Sequence, residues 1–167
     1  RILYLSYDGL TDPLGQSQIL PYLIGLSQRG YQFTILTFEK KDAFRKEEEL
    51  IRNICQQHSI NWVPLAYTKR PPVLSTIFDL LVLWLKVKSI HRSAPFQIIH
   101  CRSYLTSLIG LKAKKKWGVK FIFDMRGFWA DERVEGGLWD LKNPMYKWVY
   151  DFFKRKERQF LISADRV

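Results

Sequence analysis

Residues 121–137 read FIFDMRGFWADERVEGG, and the fold is decided by how that stretch changes character. Val119, Phe121 and Phe123 alternate with Lys120 and Ile122, the period of a strand packed on a core. At Asp124 the chain turns polar. Asp124, Asp131, Glu132 and Glu135 share twelve residues with Arg126 and Arg133, and Gly136-Gly137 closes the run. Charges at that density make poor core. They suit a polar cleft at the carboxyl end of a sheet, where open α/β folds bind ligands.

Outward from this stretch, strands alternate with helices. ILYLSY (2–7) reads as the first strand and runs into the turn-rich loop Asp8–Gly15. Ser17 is the expected N-cap of a helix with Ile19, Leu20, Leu23 and Leu26 on its apolar face, Pro21 in its first turn and Gly30 at its end. YQFTILTF (31–38) is a second strand. A charged helix over 42–57 turns Leu50, Ile51 and Ile54 inward. INWVPL (60–65) is a third strand, placed at an edge by Pro64, and Thr68–Pro72 is a loop. Val73–Ser89 is apolar nearly all round, which predicts a helix packed between sheet and neighbours; the other reading is a surface that meets a membrane or a partner domain. FQIIHC (96–101) is strand four, Tyr104–Lys116 a helix, and 145–163 a long amphipathic helix. Asp165–Val167 looks like the start of a sixth strand.

This alternation predicts a Rossmann-like parallel sheet with helices on both faces. In that order strands one and four lie side by side, with five beyond four. The loops Asp8–Ser17, His100–Tyr104 and Asp124–Gly137 then share one rim, which is the expected site.

At 167 residues and 47% apolar content there is one domain with an ample core, or one cut from a longer chain. The start at Arg1 and the strand-like end suggest the latter. Cys55 and Cys101 fall inside regular elements and read as buried thiols of a cytosolic protein. A net charge of +11 favours an anionic partner: nucleic acid, an acidic membrane surface, or a phosphate-bearing substrate. No nucleic-acid-binding motif accompanies the charge. Lys112, Lys114, Lys115, Lys116 and Lys120 read first as a solvated face and second as a membrane contact.

Each candidate has a bland and a sharp reading. Gly15-Gln16-Ser17 before a helix is either a plain turn or a phosphate cradle of backbone N–H groups. His100 beside Cys101 lacks a second ligand pair at metal spacing, so a hydrogen-bonded rim histidine is expected, with Arg102 and Ser103 facing the cleft. His58 and His91 read as surface residues. The cluster Asp124, Arg126, Asp131, Glu132 and Arg133 is either a solvated loop with internal salt bridges or a site using arginine for anions and carboxylates for hydroxyls or protons. Trp129 either stacks on a sugar ring or plugs the base of the loop.

Three stretches together resemble the N-terminal domain of GT-B-fold glycosyltransferases of the family 4, or group 1, type: residues 2–38, the strand FQIIHCRS, and FIFDMRGFWADE. The resemblance covers essentially the whole chain. It implies a retaining transfer of a sugar from a nucleotide-sugar donor to a hydroxyl acceptor, saccharide or lipid-linked, in polysaccharide or glycolipid synthesis. It implies that residues 1–167 are the acceptor-side half and that a C-terminal nucleotide-sugar-binding domain is absent from this chain, leaving it inactive alone. Gly15 and Gln16 match the loop facing the donor phosphates. Arg126 falls where many members carry a histidine; with Asp124 it is expected at the reacting sugar. Arg102, Ser103, Trp129, Asp131, Glu132 and Arg133 are expected on the acceptor side. No metal or cofactor is implied, and a cytoplasmic enzyme touching the inner membrane face is expected. The alternative is a stand-alone Rossmann-like binding module for a nucleotide or phosphorylated metabolite.

Overall fold

The computed structural model describes residues 1–71 and 73–167. Pro72, the last residue of the expected Thr68–Pro72 loop, lies outside them. Among the described residues five strands form one parallel sheet: β1 (Ile2–Ser6), β2 (Phe33–Glu39), β3 (Asn61–Ala66), β4 (Ile98–Arg102) and β5 (Lys120–Asp124). Their order is β3-β2-β1-β4-β5, with Pro64 on an edge strand. β1 and β4 are neighbours, so the order reverses between them as expected.

Strand alternation sorts the core into two layers. Leu3, Leu5, Leu36, Phe38, Ile99, Cys101, Phe121 and Phe123 pack under α3 (Leu74–Ser93), α4 (Ser103–Trp117) and α6 (Pro144–Ser163). Tyr4, Phe33, Ile35 and Trp62 pack under α1 (Leu20–Ser27) and α2 (Lys41–Gln57). Both cysteines are free and buried, and burial pushes the Cys55 thiol up to about 11.

Several expectations are corrected. Helical turns begin at Pro13, not at Ser17. Proline has its φ pre-set for a first helical position and lacks an N–H that would go unpaired there. Ser17 therefore lies inside the helix, and its hydroxyl donates to Pro13 O at 2.8 Å. The next turn, Gly15–Ile19, is π-helical, closed by Leu20 N–H on Gly15 O. Leu50 points outward and is 51% exposed. The segment expected as one polar loop holds a short helix, α5 (Trp129–Glu135), whose first turn carries Asp131 and Glu132, the charge a helix N-terminus favours, and whose last turn carries both Arg133 and Glu135. α6 starts at Pro144, capped by Asn143 Oδ1 accepting from Met145 N–H at 2.9 Å. The sixth strand reduces to a single bridge, Arg166 to Ile122.

His91 is not a free surface residue. Its ring stacks on Trp117 at 4.2 Å and meets Phe96 edge-on at 4.6 Å, and desolvation lowers its pKa. α3 departs most from expectation. Leu83, Trp84 and Val87 are buried as expected, but Leu74, Ile77, Phe78, Leu81 and Leu85 are each at least half exposed. The run is apolar all round because two faces are apolar, and the sheet covers only one.

Candidate functional site

Parallel register sets the site. Ser6 pairs with Arg102 and Arg102 with Asp124, at the carboxyl ends of β1, β4 and β5. By alternation all three side chains share the α1 face with Tyr4 and His100, one row below. Arg102 is 6% exposed at its side chain, while Arg126, just past β5, is 47% exposed.

Both guanidiniums meet one atom. Arg102 Nη2 donates to Gln18 Oε1 at 2.6 Å, and Arg126 Nη2 donates to the same oxygen at 2.9 Å. The carboxylates stand further off. Asp124 lies 3.8 Å from Arg102 Nη1 and 3.6 Å from Arg126 Nη1, and Asp8 lies 3.9 Å from Arg102 Nε. The expected hydrogen-bonded rim histidine is corrected: His100 is buried between Tyr4 and Tyr22, and its Nε2 stands 3.7 Å from Asp124 Oδ2, outside hydrogen-bond reach. Burial by itself would raise the Asp124 carboxyl. The His100 imidazole and the guanidiniums of Arg126 and Arg102 outweigh it, so its pKa falls. Tyr4 is raised, chiefly by burial and then by the Asp124 charge.

The loop after β1 approaches from the other side. Gly15 is packed so tightly that a Cβ would stand 2.1 Å from Gly9 O and 2.7 Å from Leu10 Cα. No side chain fits without moving the loop. Gln16 is engaged internally: its backbone N–H donates to Asp12 O at 3.1 Å and its side-chain amide to Thr11 O at 3.3 Å. Glu39, buried at the end of β2, braces the same loop by accepting from Leu10 N–H, Thr11 N–H and the hydroxyls of Thr11 and Thr37.

The remaining candidates gather elsewhere. Asp131 accepts from Tyr150 Oη at 2.7 Å and Lys154 Nζ at 2.8 Å, which ties α5 to α6. Trp129 is half-buried among Tyr104, Trp139 and Phe153, with the Arg133 guanidinium 5.1 Å above its ring. Glu132 folds over Gly127, whose φ of +137° is strained for any residue with a side chain. Ser103 starts α4 with a φ of +67°, strained for a non-glycine residue. So the structure joins Arg102, Asp124 and Arg126 around Gln18, ties Gly15 and Gln16 into the loop after β1, and places Trp129, Asp131 and Arg133 in the packing of α5.

Sequence reading missed Gln18, Glu39 and Tyr22. Gln18 was legible only as a polar position on the helix facing the rim. A glutamate closing the apolar strand ILTFE was the available signal for Glu39.

In the basic run Lys112, Lys115, Lys116 and Lys120 are exposed and Lys114 is half-buried. Lys112 sits 4.5 Å over the Trp84 ring, and Lys114 and Lys120 pair with Asp165. Among the described residues no three His, Cys, Asp or Glu side chains gather as a metal site, and no helix is long and apolar enough to cross a membrane.

Comparison with known proteins follows the same lines. The model of Glycosyltransferase Family 4 matches residues 22–167. A crystal structure of the glycotransferase of kitacinnamycin shares the fold, with a TM-score of 0.50 at 12% identity over 73% of this chain. A second, Arabidopsis thaliana UGT89C1 complexed with UDP-L-rhamnose, gives 0.45 at 15% identity over 73%. The chain spans 29% and 34% of those two structures. No curated protein sequence matches it. A family model that runs over nearly the whole chain, on a sheet with the expected order and an arginine–carboxylate rim at its switch point, decides the matter: the chain belongs to glycosyltransferase family 4.

Proposed function

We propose that this domain is the acceptor-side half of a retaining glycosyltransferase that moves a sugar from a nucleotide-sugar donor to a hydroxyl acceptor in polysaccharide or glycolipid synthesis. The supporting observation is the convergence of Arg102, Arg126 and Asp124 at the β1/β4 switch point. Arg126, exposed and steadied by Asp124, stabilises negative charge that develops as the sugar leaves its diphosphate. Asp124, held ionised, orients it. Gly15 and Gln16, whose polar groups are spent inside the loop after β1, set the shape of that loop where it faces the donor phosphates. Arg102 and Ser103 meet the acceptor, and α5, with Trp129, Asp131, Glu132 and Arg133, forms the far wall. A second domain brings the nucleotide, and the proposal includes no metal or cofactor, since guanidiniums supply the positive charge.

The acceptor lies at a membrane in this reading. At the helical pitch, Leu74, Ile77, Phe78, Leu81 and Leu85 fall within an arc of about 100°. Lys69 and Arg70 precede the stripe, and Lys88 and Arg92 continue its arc. An apolar stripe with basic ends suits the face of a cytoplasmic enzyme lying on anionic lipid.

The test is the parent reading frame beyond Val167, expressed whole and assayed with a panel of nucleotide sugars. A second β-α domain and sugar transfer with retained anomeric configuration are expected. An inverted product would overturn the retaining mechanism. A stop codon just past Val167 would leave a binding module instead.

A further inference from the structure

Two guanidiniums aimed at one neutral oxygen is an unusual use of charge. Arg102 and Arg126 reach Gln18 Oε1 from the ends of neighbouring strands, at 2.6 and 2.9 Å. An amide oxygen carries only a partial charge, whereas two forks converging on one point match an oxyanion. The carboxylates do not fill that role: each stands 3.6 Å or more from either guanidinium. Arg102 is also short of partners, because its buried Nε makes no hydrogen bond, and neither does the buried Nε2 of His100 beside it. A buried charged group ordinarily has its donors satisfied, and at this rim two buried nitrogens are not. Gln18 is an exposed residue on the π-helical turn, free to swing its amide into solvent.

We propose that Gln18 Oε1 is a displaceable stand-in for an anionic oxygen of the acceptor, a phosphomonoester borne by the sugar or lipid, and that Arg102 and Arg126 clamp that oxygen when the amide swings out. The assignment rests on the reading of this rim as the acceptor side. Arg126 keeps further N–H donors for the donor side. Gln18 thus acts as a selectivity gate: a neutral hydroxyl is too weak to displace it, and a phosphate oxygen is not.

Titration calorimetry of the 167-residue chain at constant ionic strength tests this, with methyl phosphate, inorganic pyrophosphate and methyl glucoside as titrants. Methyl phosphate is expected to bind and methyl glucoside not. Gln18→Ala removes the competing oxygen and should tighten methyl phosphate about threefold or more, while Gln18→Glu fills the clamp with a permanent charge and should weaken it at least about tenfold. Gln18→Glu should also raise the Tm, which shows that lost binding is not lost folding. The Arg102 Nε–H resonance should shift on adding methyl phosphate to the wild type. Weaker binding in Gln18→Ala than in wild type would make Gln18 a bracket that holds the arginines, and would overturn the proposal. So would binding indifferent to both variants. Tighter binding of pyrophosphate than of methyl phosphate would assign the clamp to the donor diphosphate and overturn the acceptor assignment. None of these readouts needs turnover. Absent binding removes the clamp while sugar transfer by the whole enzyme can still stand, and absent transfer leaves a measured clamp in place.

Discussion

Thr11 and Glu39, 28 positions apart, are joined twice: the Thr11 backbone N–H donates to Glu39 Oε2 at 3.2 Å and its hydroxyl to the same oxygen at 2.5 Å. Leu10 N–H and the Thr37 hydroxyl take the other carboxylate oxygen, at 2.9 and 2.5 Å, and Trp62 Nε1 donates to that hydroxyl in turn at 2.8 Å. The loop after β1 therefore owes its shape to a side chain of β2. Glu39→Ala would orphan several buried donors together. A loss of about 3 kcal/mol is expected in urea unfolding. A change below about 0.5 kcal/mol would show that water replaces the carboxylate without cost.

Arg126 offers the cleanest test of chemistry. Its side chain is about half exposed and its partners are Gln18 and Asp124, so Arg126→Ala should leave the Tm within a degree or two. In the whole enzyme, transfer should fall about 100-fold, the usual effect of removing one donor aimed at developing charge. Unchanged kcat and unchanged donor KM would take Arg126 out of the site.

Asp165 ties the chain's end to the sheet. Lys114 Nζ at 2.6 Å, Phe121 N–H at 2.9 Å and Lys120 Nζ at 3.0 Å hold its carboxyl well below the ordinary carboxylate range. A carboxyl depressed in the folded state adds stability that is complete above its unfolded pKa, about 3.9, and is lost as pH falls toward the folded value. Asp165→Asn should therefore be less stable than wild type at pH 7, with the gap narrowing below about pH 4. A gap that stays constant down to pH 2 would mean the ion pairs contribute nothing.

The outer face of α3 should bind anionic vesicles. Phe78→Glu with Leu81→Glu changes two residues that are 57% and 58% exposed, so folding should be unaffected. Sedimentation with phosphatidylglycerol vesicles should drop at least about tenfold, since each large apolar side chain buried is worth roughly 1.5–3 kcal/mol. Equal sedimentation of variant and parent would locate lipid contact, if any, on the lysines alone.

Much of this protein is local in sequence. The alternation ending at Phe123 and the polar break at Asp124 declare a strand and a rim, because side-chain direction in a strand repeats every two residues whatever lies around it. Sheet order followed from the Rossmann-like pattern of alternating strands and helices, and it holds. The start of the first helix was misread because Ser17 looks like a cap, while the stronger signal was Pro13. α3 was misread because composition says how apolar a helix is, not which neighbours reach it.

Sequence alone determined the α/β class, the strand order and the three loops that meet at one rim, since those depend on periodicity and chain connectivity. Tertiary structure decided which side chains on that rim touch. Gln18 meets Arg102 across 84 positions and Arg126 across 108. Those contacts depend on the in-register row Ser6–Arg102–Asp124 and on one π-helical turn at Gly15, packed against Gly9. A shift of one residue in either would turn the side chains to another face, and no local pattern in the chain records that choice.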